Sequence, residues 1–144
     1  MKTRDDIYEL IEQLNVTIQM LEDQYDIDQG GCVLTSWAIA RNLHERHLNY
    51  KVVIYAYPDS TNKDVRTLLK NEQLCHMCIQ TYKQEIGGID DELVKEHGVK
   101  KFTTDLTPDE IRQLWEKSSF NDKFSKNSEQ DVVNEIDMAF DMLW

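Results

Sequence analysis

Ile7, Leu10, Ile11, Leu14, Ile18 and Leu21 recur every three or four residues, the spacing that lines one face of a helix with apolar side chains. Thr3, with Asp6 three residues later, supplies an N-terminal cap. The pattern predicts a helix from there to about Tyr25, where Asp26-Ile27-Asp28-Gln29 opens a polar loop. Val33, Leu34, Trp37, Ala38 and Ala40 repeat the helical spacing, which predicts a second helix from Cys32 to about His47 with Trp37 on its inward face. Residues 50–57 are rich in β-branched and aromatic side chains and stop at Pro58, the composition of a strand. Val65, Leu68 and Leu69, behind an Asp/Ser/Thr cluster, predict a short helix within residues 59–73. Residues 74–82 read as a second strand, continued past a Tyr82-Lys83-Gln84 turn by residues 85–89. Alternation along that strand puts His76 and Cys78 on one face and Cys75 and Met77 on the other.

Thr107-Pro108-Asp109-Glu110 combines an N-cap, a proline at the first helical position and a capping-box glutamate. A last helix is expected from near Ser128, with Val132, Val133, Ile136, Phe140 and Leu143 on one face. Its acids Glu129, Asp131, Glu135, Asp137 and Asp141 form a solvent face, and Trp144 closes the apolar stripe. The expected architecture is α+β: an N-terminal helix and a cysteine-bearing helix packed on a small antiparallel sheet, followed by a helical tail. Strands with tight connections pair antiparallel, and an isolated hairpin needs a helix over its apolar face.

At 144 residues the chain has the length of one domain, residues 1–144, large enough to bury a core. No repeat, low-complexity tract or interdomain linker breaks it. Its formal net charge of −11 argues against a nucleic-acid partner, because phosphate binding needs clustered Lys and Arg. No 18-residue apolar run is present to cross a membrane, and the start MKTRDDIYELIEQ is charged where a signal peptide would be apolar. Three cysteines leave one over from any disulfide pairing, so a reducing cytoplasm is the expected setting.

The chemistry concentrates at Gly30-Gly31-Cys32, where two glycines bring a cysteine to the start of a helix. First-turn amides lack intrahelical partners and the helix dipole is positive there, so a thiolate is favoured over a thiol. The plainer reading is a buried small residue at a helix start, as free cysteines commonly are. A nucleophilic cysteine needs a base, most often a histidine oriented by a third polar group. His76, on the strand that begins at Leu74, is the candidate. Cys75-x-x-Cys78 has the spacing of a zinc or redox pair, but it falls in a strand with no second pair to complete a tetrahedral site. No metal and no cofactor is therefore expected.

Three stretches together, Gly30 to Leu43, the His76 strand and Phe120-Asn121-Asp122-Lys123-Phe124-Ser125-Lys126, resemble a family of small papain-like or transglutaminase-like proteins, many of them encoded by bacteriophages. The family carries a Gly-Gly-Cys helix start, a histidine strand, an aspartate in the following strand and a tail resembling Trp-Asn-x-x-Phe-Asp-Arg. The resemblance implies a papain-like or transglutaminase-like cysteine hydrolase fold. Where the family has its aspartate, about eleven residues after the histidine, this chain has Gly87, and its tail has Phe120-Asn121 and Ser125-Lys126. Asp90 or Asp91 would orient His76 if the strand bulges at Gly87-Gly88. An oxyanion hole would use the Cys32 amide and a donor from the preceding loop, with Gln29 the best placed. Two functions follow. One is a peptidase or amidase working through a Cys32 thioester with His76 as base. The other is an inactive fold that binds a protein partner.

Overall fold

The computed structural model describes residues 2–25, 31–60, 64–118, 121–122 and 124–144. Six helices and four strands are found among them: α1 Arg4–Tyr25, α2 Cys32–Glu45, β1 Lys51–Ala56, α3 Val65–Lys70, β2 Leu74–Thr81, β3 Gln84–Ile86, α4 Asp91–His97, β4 Lys100–Thr104, α5 Pro108–Lys117 and α6 Lys126–Leu143. The strands form one antiparallel sheet in the order β3-β2-β1-β4. No helix among the described residues is long and apolar enough to cross a membrane.

α2 is the central element. Ten of its fourteen residues are buried, the signature of a helix enclosed on all sides rather than along one stripe. One side of it lies on β2, where Ser36 Oγ donates to the Met77 carbonyl at 3.3 Å. α5 and α6 close its other sides, and α1 packs along α6. The six apolar residues of the α1 stripe are all buried, and a Thr3–Asp6 cap closes its start through reciprocal bonds of 3.0 and 3.2 Å. The capping box at Thr107 and Glu110 is present.

Several expectations are corrected. α2 ends at Glu45 rather than near His47, because His47 takes a left-handed φ of 59° that a helix cannot carry. α6 starts at Lys126, since Ser125 rather than a later residue accepts from the Ser128 amide and caps the helix. The hairpin closes in two residues, Tyr82 and Lys83, with φ of 51° and 62°. That pair of positive angles matches the twist of paired strands, and β3 ends early, at Ile86. Trp37 is half-buried rather than inward: its indole lies between the Arg41 and Arg112 guanidinium groups, 4.7 and 4.6 Å from the ring centre. The tail acids are not a free solvent face either. Asp137 accepts from Arg41 at 2.6 Å and from Asn42 at 2.8 Å, Asp141 pairs with Arg46, and Asp131 accepts from the Tyr25 hydroxyl.

A register shift in the β1–β2 pairing bears on the site. Tyr55 faces His76 but Ala56 faces Leu74, so Cys75 is an extra residue in β2. Such a bulge breaks the simple alternation beyond it. Cys75 therefore packs with Cys78, Val53 and Tyr55 on the sheet face away from the main core, not beside Met77 as strict alternation predicts.

Candidate active site

Cys32 opens α2. Its predecessor Gly31 is the N-cap residue, with φ −70° and ψ −10° and no side-chain cap bond. The first intrahelical bond runs from the Thr35 amide to the Gly31 carbonyl at 3.1 Å. Every other helix has a side-chain cap at its start, from Thr3, Asp64, Asp90, Thr107 or Ser125. Among the described residues, α2 alone presents its first-turn amides without one, and that is the end bearing the thiol.

His76 reaches this point because β3 is short. β3 pairs only with residues 79–81 of β2, so the edge of β2 is uncovered from Cys78 back to Leu74. The chain leaves β3 at Gly87, whose φ of +79° suits glycine alone. A Cβ at that position would stand 3.0 Å from the Ile18 Cδ1 of α1. The turn presents the Gly87 carbonyl to His76 Nε2 at 2.5 Å. A carbonyl only accepts, so Nε2 carries the proton, and Nδ1 is the nitrogen left to engage Cys32, whose side chain acts on the ring. Both side chains are nearly enclosed, at 6% exposure for Cys32 and 8% for His76. Burial by itself would lower the pKa of the imidazole. Interaction with the Cys32 side chain outweighs burial, and with the Gly87 carbonyl and the charge of Glu22 it raises His76 to about 9 from an ordinary 6.5.

The other two cysteines sit in different surroundings. Burial pushes the Cys75 thiol up, opposed in part by a hydrogen bond with the Tyr57 hydroxyl, and the negative charge of Cys32 raises it further. Cys78 is pushed up strongly by burial and by Glu85, whose carboxylate accepts from its thiol at 3.4 Å. Glu85 also accepts from the Tyr55 hydroxyl and holds Lys101 Nζ at 2.6 Å. Both thiols are thus held protonated at neutral pH, which leaves them poor nucleophiles. Among the described residues, no group of three or more His, Cys, Asp or Glu gathers in a way that could hold a metal.

The carboxylates proposed to orient His76 are placed elsewhere. Asp90 caps α4, its side chain accepting from the Glu92 amide at 3.0 Å. Asp91 lies in the first turn of α4, and its charge acts on Tyr55 and Lys101. The ring nitrogen that a carboxylate would have engaged is taken by the Gly87 carbonyl. Gln29 and Gly30 lie outside the described residues, as do Phe120 and Lys123 of the tail. Sequence reasoning missed the orienting group because a main-chain carbonyl has no residue type. The visible trace was a glycine eleven residues after the histidine, where the strand had to turn. Compared with protein-family models, curated proteins and solved structures, this chain matches none.

Proposed function

We propose that the protein is a cysteine hydrolase or acyl transferase of papain-like or transglutaminase-like type, with Cys32 as nucleophile and His76 as base and then acid. The observation that carries this reading is a buried histidine tied through Nε2 to a carbonyl and acted on by the Cys32 thiol, which sits at the one helix start without a side-chain cap among the described residues. The Cys32 thiol passes its proton to His76 Nδ1, and the sulfur attacks the carbonyl carbon of a peptide or other amide, so that negative charge moves to the carbonyl oxygen. The unpaired first-turn amides of α2 donate to that oxyanion, favoured further by the helix dipole. The tetrahedral adduct collapses, the C–N bond breaks, and His76 Nδ1 gives its proton to the departing amine. His76 then takes a proton from water as that water attacks the thioester, releasing the acid and the Cys32 thiol. An amine in place of water completes acyl transfer.

The second reading, a fold that retains the pair and binds a protein partner, draws support from how little of Cys32 and His76 is exposed. p-Nitrophenyl acetate separates the two. The hydrolase reading predicts a burst of p-nitrophenolate matched by one acetyl group mapped to Cys32, and no burst in His76→Ala. Acetylation spread equally over Cys32, Cys75 and Cys78, unchanged by that substitution, would favour the binding module.

A further inference from the structure

The orienting carbonyl belongs to a turn, and a turn must itself be held if it is to fix an imidazole. β3 is an edge strand, so one row of its backbone groups has no strand partner. On that open side lies Asn15 of α1. Its Oδ1 accepts from the Gly87 amide at 2.8 Å, and its Nδ2 donates to the Glu85 carbonyl at 3.4 Å. The amide side chain thus stands in for a neighbouring strand over the two residues where β3 ends. Ile18, one turn further along the same helix, packs over Gly87, where a Cβ would stand 3.0 Å from its Cδ1. Helix, turn and ring form one connected chain: Asn15 holds the Gly87 peptide, the Gly87 carbonyl holds His76 Nε2, and the ring meets Cys32.

We infer that Asn15 is a positioning residue for the Cys32–His76 pair, acting through the Gly87 peptide; the inference rests on the reading of that pair as nucleophile and base. Asn15 is exposed, at the border of the core stripe between Ile11 and Ile18, so burial does not account for its two long-range bonds. With Gly87 released, the ring loses the contact that sets its tilt and tautomer. A displacement of about 1 Å at a reacting group costs up to roughly 100-fold in rate.

The test compares wild type, Asn15→Ala, Asn15→Asp and His76→Ala by p-nitrophenyl acetate acylation across pH and by nitrogen NMR of His76. Asn15→Ala should slow Cys32 acetylation by roughly ten- to a hundred-fold, lower the apparent pKa of His76, and weaken the slowly exchanging Nε2–H signal, with the melting temperature nearly unchanged. Asn15→Asp keeps the acceptor for the Gly87 amide and should recover part of the rate and of the signal. If both Asn15 variants stay within about twofold of wild type with an unaltered His76 spectrum, while His76→Ala abolishes acetylation, the positioning role is wrong and the catalytic pair stands. If His76→Ala also leaves the rate unchanged, the reading of the pair falls instead. Should Asn15→Ala fail to fold, Asn15→Leu, of similar shape but unable to bond the Gly87 peptide, takes its place: a rate within about twofold of wild type with an unaltered spectrum refutes the role, and a roughly ten-fold or greater loss with a normal melt supports it.

Discussion

At the scale of single residues, the orientation of His76 by a neutral carbonyl rather than a carboxylate sets what can be measured. The raised imidazole, about 9 when folded against an ordinary 6.5, makes the protonated ring a stabilising group. A pKa raised by folding contributes fully below the unfolded value and is lost as pH rises through the folded one. The stability difference between wild type and His76→Gln, from urea unfolding, should therefore shrink between about pH 6.5 and pH 9. A difference that is flat or grows over that range contradicts the assignment. Gly87 is the second decisive residue. Its φ of +79° strains any side chain, and a Cβ there would stand 3.0 Å from Ile18 Cδ1, which would have to give way. Gly87→Ala should cost about 1–3 kcal/mol, typical of a residue forced into a sparsely populated region, and should slow Cys32 acylation as well. Gly88 has no positive φ, but a Cβ there would stand 2.6 Å from Glu85 Oε1 and 3.0 Å from the Glu85 Cβ. Gly88→Ala should therefore disturb the Tyr55, Cys78 and Lys101 contacts of Glu85 and is expected to act on stability more than on acylation.

Among the elements, the legible ones carry strong periodicity or a cap. α1 shows six apolar residues at helical spacing, and α5 shows Thr-Pro-Asp-Glu. Thr107→Ala should cost about 1 kcal/mol in thermal or urea unfolding, and a cost near zero would mean the box contributes nothing to α5. α4 and β4 were not legible. α4 buries none of its residues, so no apolar stripe marks it. β4 is a sheet edge starting Lys100-Lys101, the kind of sequence that discourages further strand pairing and hides a strand from an apolar-polar pattern. The site was half legible. A cysteine at a helix start and a histidine on a strand are residue types that sequence exposes. The Cys75 bulge, the early end of β3 and the turn at Gly87 are backbone events, and these decide which groups reach His76. The two aspartates that follow the Gly87-Gly88 pair, Asp90 and Asp91, serve the start of α4 instead.

Over the whole molecule, the sheet and the α5–α6 layer meet on α2, so Cys32 belongs to the most enclosed of the described helices. Two tryptophans report on that layer differently. Trp115 is fully buried and packs edge-on to Phe124, with ring centres 5.6 Å apart, whereas Trp37 is held between two arginines that also pair with Asp137, Glu116 and Glu129. Trp115→Ala should cost about 3–5 kcal/mol, as deletion of a buried aromatic does, and Trp37→Ala clearly less; the reverse order in urea unfolding would contradict this packing. The central claim is that one thiol of three is activated, and by His76. The most direct measurement alkylates all three cysteines of the folded protein with iodoacetamide in one reaction, follows each by mass spectrometry across pH, and repeats the series with His76→Ala. The account predicts that Cys32 reacts much faster than Cys75 and Cys78 at about pH 7 and loses that advantage in the variant. Equal rates for the three thiols, or a fast Cys32 indifferent to His76, would contradict it.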